Sequence, residues 1–284
     1  MTPPDPQTVS TPAASPGSGD AEAEVRNLLP GSVVYARCGT VVTLTIDRPE
    51  RRNAMTFETI VSLREGVRRA RAENARALVV TGAGEKAFCA GGDLGGMTGG
   101  DAEAAHAGRG HLAGLFTDLW QAGIPTIARV RGYALGGGMG LALACDIVIA
   151  ADDAVFGTPE TTVGLWPYMI TVPLLRSMPA KAALELMMTG RRVGADEARA
   201  TGFVSRVVPV AELDGAVRET TGSVVKNSPS AIRLGRTAFY QVVDMPAEHA
   251  LPLLQAGLGI TSATDDAAEG TRAFTEKRAP VWSS

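Results

Sequence analysis

The stretch from Ile127 to Asp146 constrains the chain most. It begins as a short apolar strand, Ile127–Val130. It turns through Gly132 and the triplet Gly136, Gly137 and Gly138, then runs into an Ala/Leu-rich segment with the character of a buried helix. A strand feeding a glycine turn that opens a helix leaves backbone N–H groups free at the helix N-terminus. Consecutive glycines let a ligand approach that backbone, because no Cβ stands in the way. Such a turn suits a negative oxygen; a tight turn in a crowded core would also need it. A second glycine-rich stretch, Ala87–Leu94, follows the strand Ala77–Thr81 and the turn Gly82–Gly84. Two such turns can supply the two N–H donors of an oxyanion hole.

The elements between them define an α/β chain. Val33–Arg37 and Val41–Ile46 read as a hairpin about Cys38, Gly39 and Thr40, rich in β-branched residues. Thr56–Asn74 reads as a helix with Thr56 as N-cap and Phe57, Ile60, Val61, Leu63, Val67 and Ala70 as its apolar stripe. Thr98–Arg109, rich in Gly and Ala, reads as a mobile connection into a helix from His111 to Gln121. Asp146–Ala150 and Val204–Val208 read as further strands, with Gly190 and Gly202 ending helices between them. From Ala211 the pattern is helical almost to the end, over Ala231–Val243, Ala247–Thr261 and Asp265–Phe274.

Several stretches together resemble the crotonase, or enoyl-CoA hydratase/isomerase, superfamily. They are Asp47–Ala54 (DRPERRNA), Phe88–Leu94 (FCAGGDL), Gly132–Gly138 (GYALGGG), Cys145 with Asp146, Phe156–Glu160 (FGTPE), Leu186–Gly190 (LMMTG), Ala198–Gly202 followed by Val204–Pro209, and Ala273–Arg278 (AFTEKR). The resemblance covers residues 33 to 284, in order. It implies a ββα spiral core over residues 29–210 and a C-terminal helical region, 211–284, through which such chains form trimers or dimers of trimers. Residues 1–28, rich in Pro, Ser, Ala, Thr and Gly, read as a disordered tail. That tail has neither the apolar core of a secretory signal nor the arginine content of a transit peptide.

The resemblance also implies chemistry on an acyl-CoA thioester whose carbonyl oxygen becomes an enolate. Gly92 and Gly137 would hold that oxygen, and Glu160 would move the proton. Coenzyme A is then part of the substrate, and no separate cofactor or metal is expected. Hydratases of the best-known type hold a water between two glutamates, one at the place of Gly140 and the other at Glu160. Gly140 has no side chain. A lone glutamate suits 3-enoyl to 2-enoyl isomerisation, and it also permits a one-glutamate hydration. The ending Lys277–Trp282 is similar to a subgroup whose members often lack one or both glutamates. Decarboxylation or thioester hydrolysis on the same oxyanion hole, and acyl-CoA binding without catalysis, are the rival readings.

Residues expected near coenzyme A are Arg51, Arg52, Ala54, Asp93, Leu94, Phe274 and Lys277. Gly95 and Gly96 replace charged residues that many relatives carry. Each expectation has a simpler counterpart. Glu160 can be a solvated carboxylate at a helix start capped by Thr158, favoured by the dipole. Arg51 and Arg52 can be solvated loop charges. Asp93 can cap its own turn. Trp166, Tyr168 and Met169 can line an acyl pocket or simply pack the core. Cys89 reads as a buried spacer.

Bulk properties narrow the class. With 284 residues, 45% hydrophobic and 20% charged, the chain has the balance of a globular protein. A net charge of −3 offers no reason for a nucleic-acid partner. Cys38, Cys89 and Cys145 form no disulfide or metal pattern, and His106, His111 and His249 lack metal spacing. A reducing cytoplasmic compartment fits the cysteines. No apolar run reaches the roughly 18 residues that span a bilayer. The glycine triplet does not complete a dinucleotide-binding pattern, and no Walker A or nucleophile-elbow sequence occurs.

Overall fold

The β-branched N-terminal segments pair as expected, and pairing starts one strand early. The computed structural model describes residues 25–93 and 102–283. In it β1 (Val25–Leu29), β2 (Val33–Cys38) and β3 (Val41–Ile46) form an antiparallel meander. Residues 25–28 therefore belong to a strand, not to the tail expected over 1–28: β1 hydrogen-bonds to the otherwise open edge of β2. Residues 1–24 lie outside the described ones.

Helix α1 (Phe57–Ala72) starts where the Thr56 hydroxyl accepts the Thr59 N–H at 3.1 Å, the expected N-cap. It buries Ile60, Leu63, Val67 and Ala70, whereas Val61 turns outward and is 39% exposed. Strands β4 (Ala77–Gly82) and β5 (Ala87–Cys89) follow, then α2 (Ala102–Trp120). The expected mobile connection is thus corrected from Ala102 onward, and residues 98–101 lie outside the described ones. Its small residues serve close helix packing. A Cβ at Gly108 would stand 2.5 Å from the Phe57 ring, and one at Gly114 would stand 2.5 Å from the Arg64 guanidinium carbon. A low apolar content thus marks a tight α1–α2 contact.

The chain continues through β6 (Thr126–Val130), β7 (Tyr133–Leu135), α3 (Gly137–Ala144), β8 (Ile147–Ala151) and β9 (Val155–Gly157). A 3₁₀ turn at Pro159–Val163 leads to α4 (Thr171–Ser177), α5 (Ala180–Thr189), β10 (Arg192–Gly194), α6 (Ala195–Thr201) and β11 (Arg206–Val208). Gly190 and Gly202 take left-handed C-cap conformations and end α5 and α6, as expected. Seven strands form one sheet in the order β1-β2-β3-β4-β6-β8-β11; four form a second in the order β10-β9-β7-β5. Successive strand pairs β4/β5, β6/β7 and β8/β9 send their first member to the large sheet and their second to the small one. Each ββα unit therefore repeats the same step, and the carboxyl ends of the large sheet feed the small one.

A main core fills the space between the sheets, α1, α2 and α3, and includes Tyr35, Leu44, Phe88, Leu115, Ile170 and Phe156. The opposite face of the large sheet carries a second cluster. There Ala77, Val79, Ile127 and Ile149 meet Leu213, Ala216 and Val217 of α7 (Leu213–Val225). Helix α7 thus covers the sheet, and the helical arm begins beyond the expected boundary at 211. The arm consists of α8 (Pro229–Val242), α9 (Ala247–Ser262) and α10 (Asp265–Glu276). Arg236 pins it to the core. Its guanidinium donates to Asp146 Oδ2 at 2.7 Å and to the carbonyls of Leu119 and Trp120, while the Tyr240 hydroxyl donates to Asp146 Oδ1 at 2.6 Å. Leu251, Leu258, Ile260 and Phe274 remain exposed on the arm.

The C-terminal residues strap the arm at Asp266. This carboxylate is 2% exposed and accepts from the Ser228 and Ser230 hydroxyls and from the Ser283 N–H. Burial opposes its ionisation, but those hydrogen bonds outweigh burial and hold its pKa well below the usual carboxylate range. A depressed pKa contributes stability above the unfolded value, about 3.9 for Asp, and loses it as pH falls through the folded value. Asp266→Ala is expected to destabilise the chain by about 1–3 kcal/mol at neutral pH. Denaturant unfolding at pH 7 and at pH 3 should show the difference between wild type and variant shrinking at the lower pH.

Candidate active site

The two glycine turns meet. The Met55 N–H donates to the Gly91 carbonyl at 2.8 Å, and the Asp93 N–H donates to the Met55 carbonyl at 2.8 Å. This pairing leaves the Gly92 N–H between them unused. Across from it, Gly136 adopts φ +53° and ψ −125° and donates its own N–H to the Gly157 carbonyl at 2.8 Å. Gly137 is then the first residue of α3, where an N–H has no partner within the helix. A Cβ at Gly137 would stand 3.9 Å from the Gly92 nitrogen, and one at Gly91 would stand 3.7 Å from the Gly137 nitrogen. Neither the Gly92 nor the Gly137 N–H donates to a backbone carbonyl among the described residues. Gly138 locks the two turns together, because its Cα faces the Cys89 carbonyl.

Glu160 comes to the same place through sheet register. Leu135 of β7 pairs with Gly157 of β9, which sets the Pro159–Val163 turn beside Gly136. A Cβ at Gly136 would stand only 2.8 Å from Glu160 Oε1. Oε2 is buried without a hydrogen-bond partner among the described residues. The solvated carboxylate is thereby corrected. Burial pushes the Glu160 carboxyl above its ordinary pKa, and a backbone N–H only partly offsets that. The expected Thr158 cap is also absent. Its side chain is fully buried because β9 carries it into the core, and among the described residues neither its hydroxyl nor the buried Thr161 hydroxyl has a partner.

The place where a second carboxylate would stand is filled. A Cβ at Gly140 would lie 2.4 Å from Ile170 Cγ2 and 3.0 Å from Phe116 Cζ. The missing glutamate is therefore matched by apolar packing. Gly140→Glu alone is expected to destabilise the chain by about 1–3 kcal/mol without raising hydration. Gly140→Glu with Ile170→Ala should recover part of that loss, as thermal unfolding and a hydration assay of both variants would reveal.

The loop carrying the expected coenzyme A residues is held from inside. Asn53 is fully buried at φ +56°; its amide donates to the Ala83 and Ala87 carbonyls at 2.9 and 2.7 Å. The guanidinium of Arg48 donates to the Ala54 carbonyl and pairs with Asp93 Oδ2 at 3.1 Å. Asp93 therefore clasps this loop to the first glycine turn. Arg51 and Arg52 are exposed and have no ion pair among the described residues. Leu94, Gly95 and Gly96 lie outside those residues. Phe274, 87% exposed, and Lys277 sit at the end of α10 on the arm. Trp166 and Met169 are half-buried against the core, whereas Tyr168 is 77% exposed. Cys89 is the expected buried spacer; desolvation pushes its thiol up to about 12. Sequence reasoning missed the structural parts of Arg48 and Asn53. An asparagine closing a run of charged loop residues was the available signal.

Among the described residues no group of three or more His, Cys, Asp or Glu side chains could hold a metal ion, and no helix is long and apolar enough to cross a membrane. The family model described as enoyl-CoA hydratase/isomerase matches residues 37–284. The chain is 39% identical over 257 residues to carnitinyl-CoA dehydratase of Escherichia coli, covering 88% of this chain and 98% of that relative. Its fold is similar to an enoyl-CoA hydratase of Mycobacterium smegmatis, with TM-score 0.85, 32% identity and 89% and 99% of the two chains covered. A Bacillus anthracis enoyl-CoA hydratase gives TM-score 0.82 at 33% identity, over 91% and 98%. With a crotonase-like fold, two converging glycine turns and these relatives, the chain belongs to the enoyl-CoA hydratase/isomerase family of enzymes.

Proposed function

We propose that the enzyme acts on an acyl-CoA thioester through an enolate, with the Gly92 and Gly137 N–H groups on the carbonyl oxygen and Glu160 as the proton-transfer residue. The observation that carries this reading is the Glu160 carboxylate, buried with an unpartnered oxygen against Gly136 at the head of the turn that frees the Gly137 N–H. Ionised Glu160 takes the proton from C2, and the negative charge moves to the thioester oxygen, where two N–H dipoles meet it. The protonated Glu160 returns that proton to C4, which completes 3-enoyl to 2-enoyl isomerisation. A proton raised in affinity by burial suits both halves of this shuttle.

A second reading has its own support. The relative at 39% identity is a dehydratase, so a hydration–dehydration reaction by one glutamate is the alternative use of the same site. Here Glu160 returns its proton to a departing 3-hydroxyl, which leaves as water. Arg51 and Arg52, exposed on the loop beside the first glycine turn, are the proposed partners of the coenzyme A phosphates, with Ala54, Asp93 and Leu94 nearby. Phe274 and Lys277 would reach coenzyme A from a neighbouring subunit, and the exposed apolar residues of the arm support a homotrimer or dimer of trimers.

The test compares wild type with Glu160→Gln on 3-enoyl-, 2-enoyl- and 3-hydroxyacyl-CoA, separating products by chromatography and following deuterium uptake in heavy water. Conversion of 3-enoyl to 2-enoyl substrate by wild type alone establishes the isomerase. Interconversion of only the 2-enoyl and 3-hydroxyacyl substrates establishes the hydratase. Carbon dioxide release from a malonyl-type substrate, or no exchange at C2, overturns the enoyl reading.

A further inference from the structure

A cavity of about 910 Å³ lies between α8 and the amino ends of β4 and β6, lined by four arginines and no acidic residue. Glu160, Gly92 and Gly137 follow the carboxyl ends of β9, β5 and β7 in the small sheet, and none of the three lines this cavity, which opens at the amino ends of large-sheet strands. The loop Gln121–Pro125 forms its floor. Arg71 reaches the loop from α1, donating to the Gln121 carbonyl at 3.3 Å. From α8, Arg233 lays its side chain over Gly123, where a Cβ would stand 3.6 Å from Arg233 Cγ.

The charge on this wall is mostly uncompensated. Arg76 donates to the backbone carbonyls of Val225 and Asn227, not to a carboxylate, and burial lowers its pKa. The carboxylate that acts on it, Asp266, also accepts hydrogen bonds from Ser228, Ser230 and Ser283. Arg233 has no ion pair among the described residues. Arg176 pairs with Asp244 and lies 4.3 Å over the Trp120 ring, yet its Nε is buried with no acceptor. Arg71, Arg76 and Arg233, which have no carboxylate ion pair among the described residues, line one concavity, and an anion there screens their mutual repulsion. Guanidinium forks match phosphate oxygens in pairs.

We propose that this cavity is a second binding site, for a small multiply charged anion of the phosphate class, separate from the acyl-CoA site. Arg71 and Arg233 close on it from the two helices, and Arg76 lies at its base. Because α8 belongs to the arm and the loop to the core, occupation also ties the arm to the core.

The test is calorimetric titration of the full chain with sodium pyrophosphate at low ionic strength, with sodium chloride at matched ionic strength as reference. Three proteins are compared: wild type, Arg71→Gln/Arg233→Gln and Arg51→Gln/Arg52→Gln. The expected result is saturable binding that the second variant retains at one pyrophosphate per chain and the first variant weakens at least about tenfold. Both variants change exposed side chains, and circular dichroism confirms their folds. Binding lost only in Arg51→Gln/Arg52→Gln would place the anion at the coenzyme A loop and overturn the proposal. Heat no greater than that of chloride would overturn it as well.

Discussion

Glu160→Gln is expected to lower turnover of enoyl-CoA substrates by about 10²–10⁴-fold, the usual contribution of a positioned acid–base group. Binding of the substrate should change far less, since the Gly92 and Gly137 N–H groups are untouched. The same variant should be at least as stable as wild type at neutral pH, which separates a catalytic loss from a folding defect. The sign follows from burial. The Glu160 pKa is raised in the folded chain, so its protonated form is the one the fold favours. Stability from that preference is present below the unfolded value, about 4.3, and is lost as pH rises through the folded value. Above that window wild type carries a desolvated charge that the glutamine does not. Thermal unfolding across pH 4 to 8 should therefore show the variant gaining on wild type as pH rises. In wild type, kcat/KM should fall on the acid side at a pH above the ordinary carboxylate range, because only ionised Glu160 accepts the C2 proton. An unchanged rate in Glu160→Gln would remove this residue from the mechanism.

Gly138→Ala should be the most damaging single methyl group in the site. Its Cβ would stand 2.1 Å from the Cys89 carbonyl oxygen and 2.8 Å from Cys89 Cβ. Both obstacles belong to the strand end that carries the first glycine turn, and a backbone carbonyl cannot rotate aside as a side chain does. The two turns must separate, which moves the Gly92 and Gly137 N–H groups apart. Loss of one oxyanion donor lowers the rate by about 10²–10³, and overpacking on this scale costs about 3 kcal/mol. Gly140→Ala is the comparison. Its Cβ meets Ile170 Cγ2, the end of a side chain, so it should be tolerated better. Equal rates for wild type and Gly138→Ala, in a folded protein, would separate the oxyanion function from this turn.

Much of the molecule was legible in the sequence because its signals are local. The Thr56 cap, the stops at Gly190 and Gly202, the β2–β3 hairpin and the buried strands each depend on residues close in the chain. Both glycine turns could be named as candidates for the same reason, whereas Glu160 became one only through the family resemblance. Where the reading failed, the deciding contact was distant. Gly108 looked like a loop residue until α1 supplied the Phe57 ring that requires its small size. Val25–Leu29 lacks a strand pattern strong enough to stand alone, and becomes a strand through the edge of β2. Helix α7 could be assigned to the C-terminal region until the far face of the large sheet claimed Leu213, Ala216 and Val217.

Chain-local rules determined most of the element types and the two glycine turns, and the family resemblance singled out the lone glutamate. Only tertiary structure decided that the two turns meet, that the Glu160 carboxylate is desolvated and that Ile170 and Phe116 fill the space beside Gly140. The physical reason is range: propensity, capping and turn preferences act over a few residues, whereas burial, pKa and close approach depend on segments that the sheets bring together from across the chain.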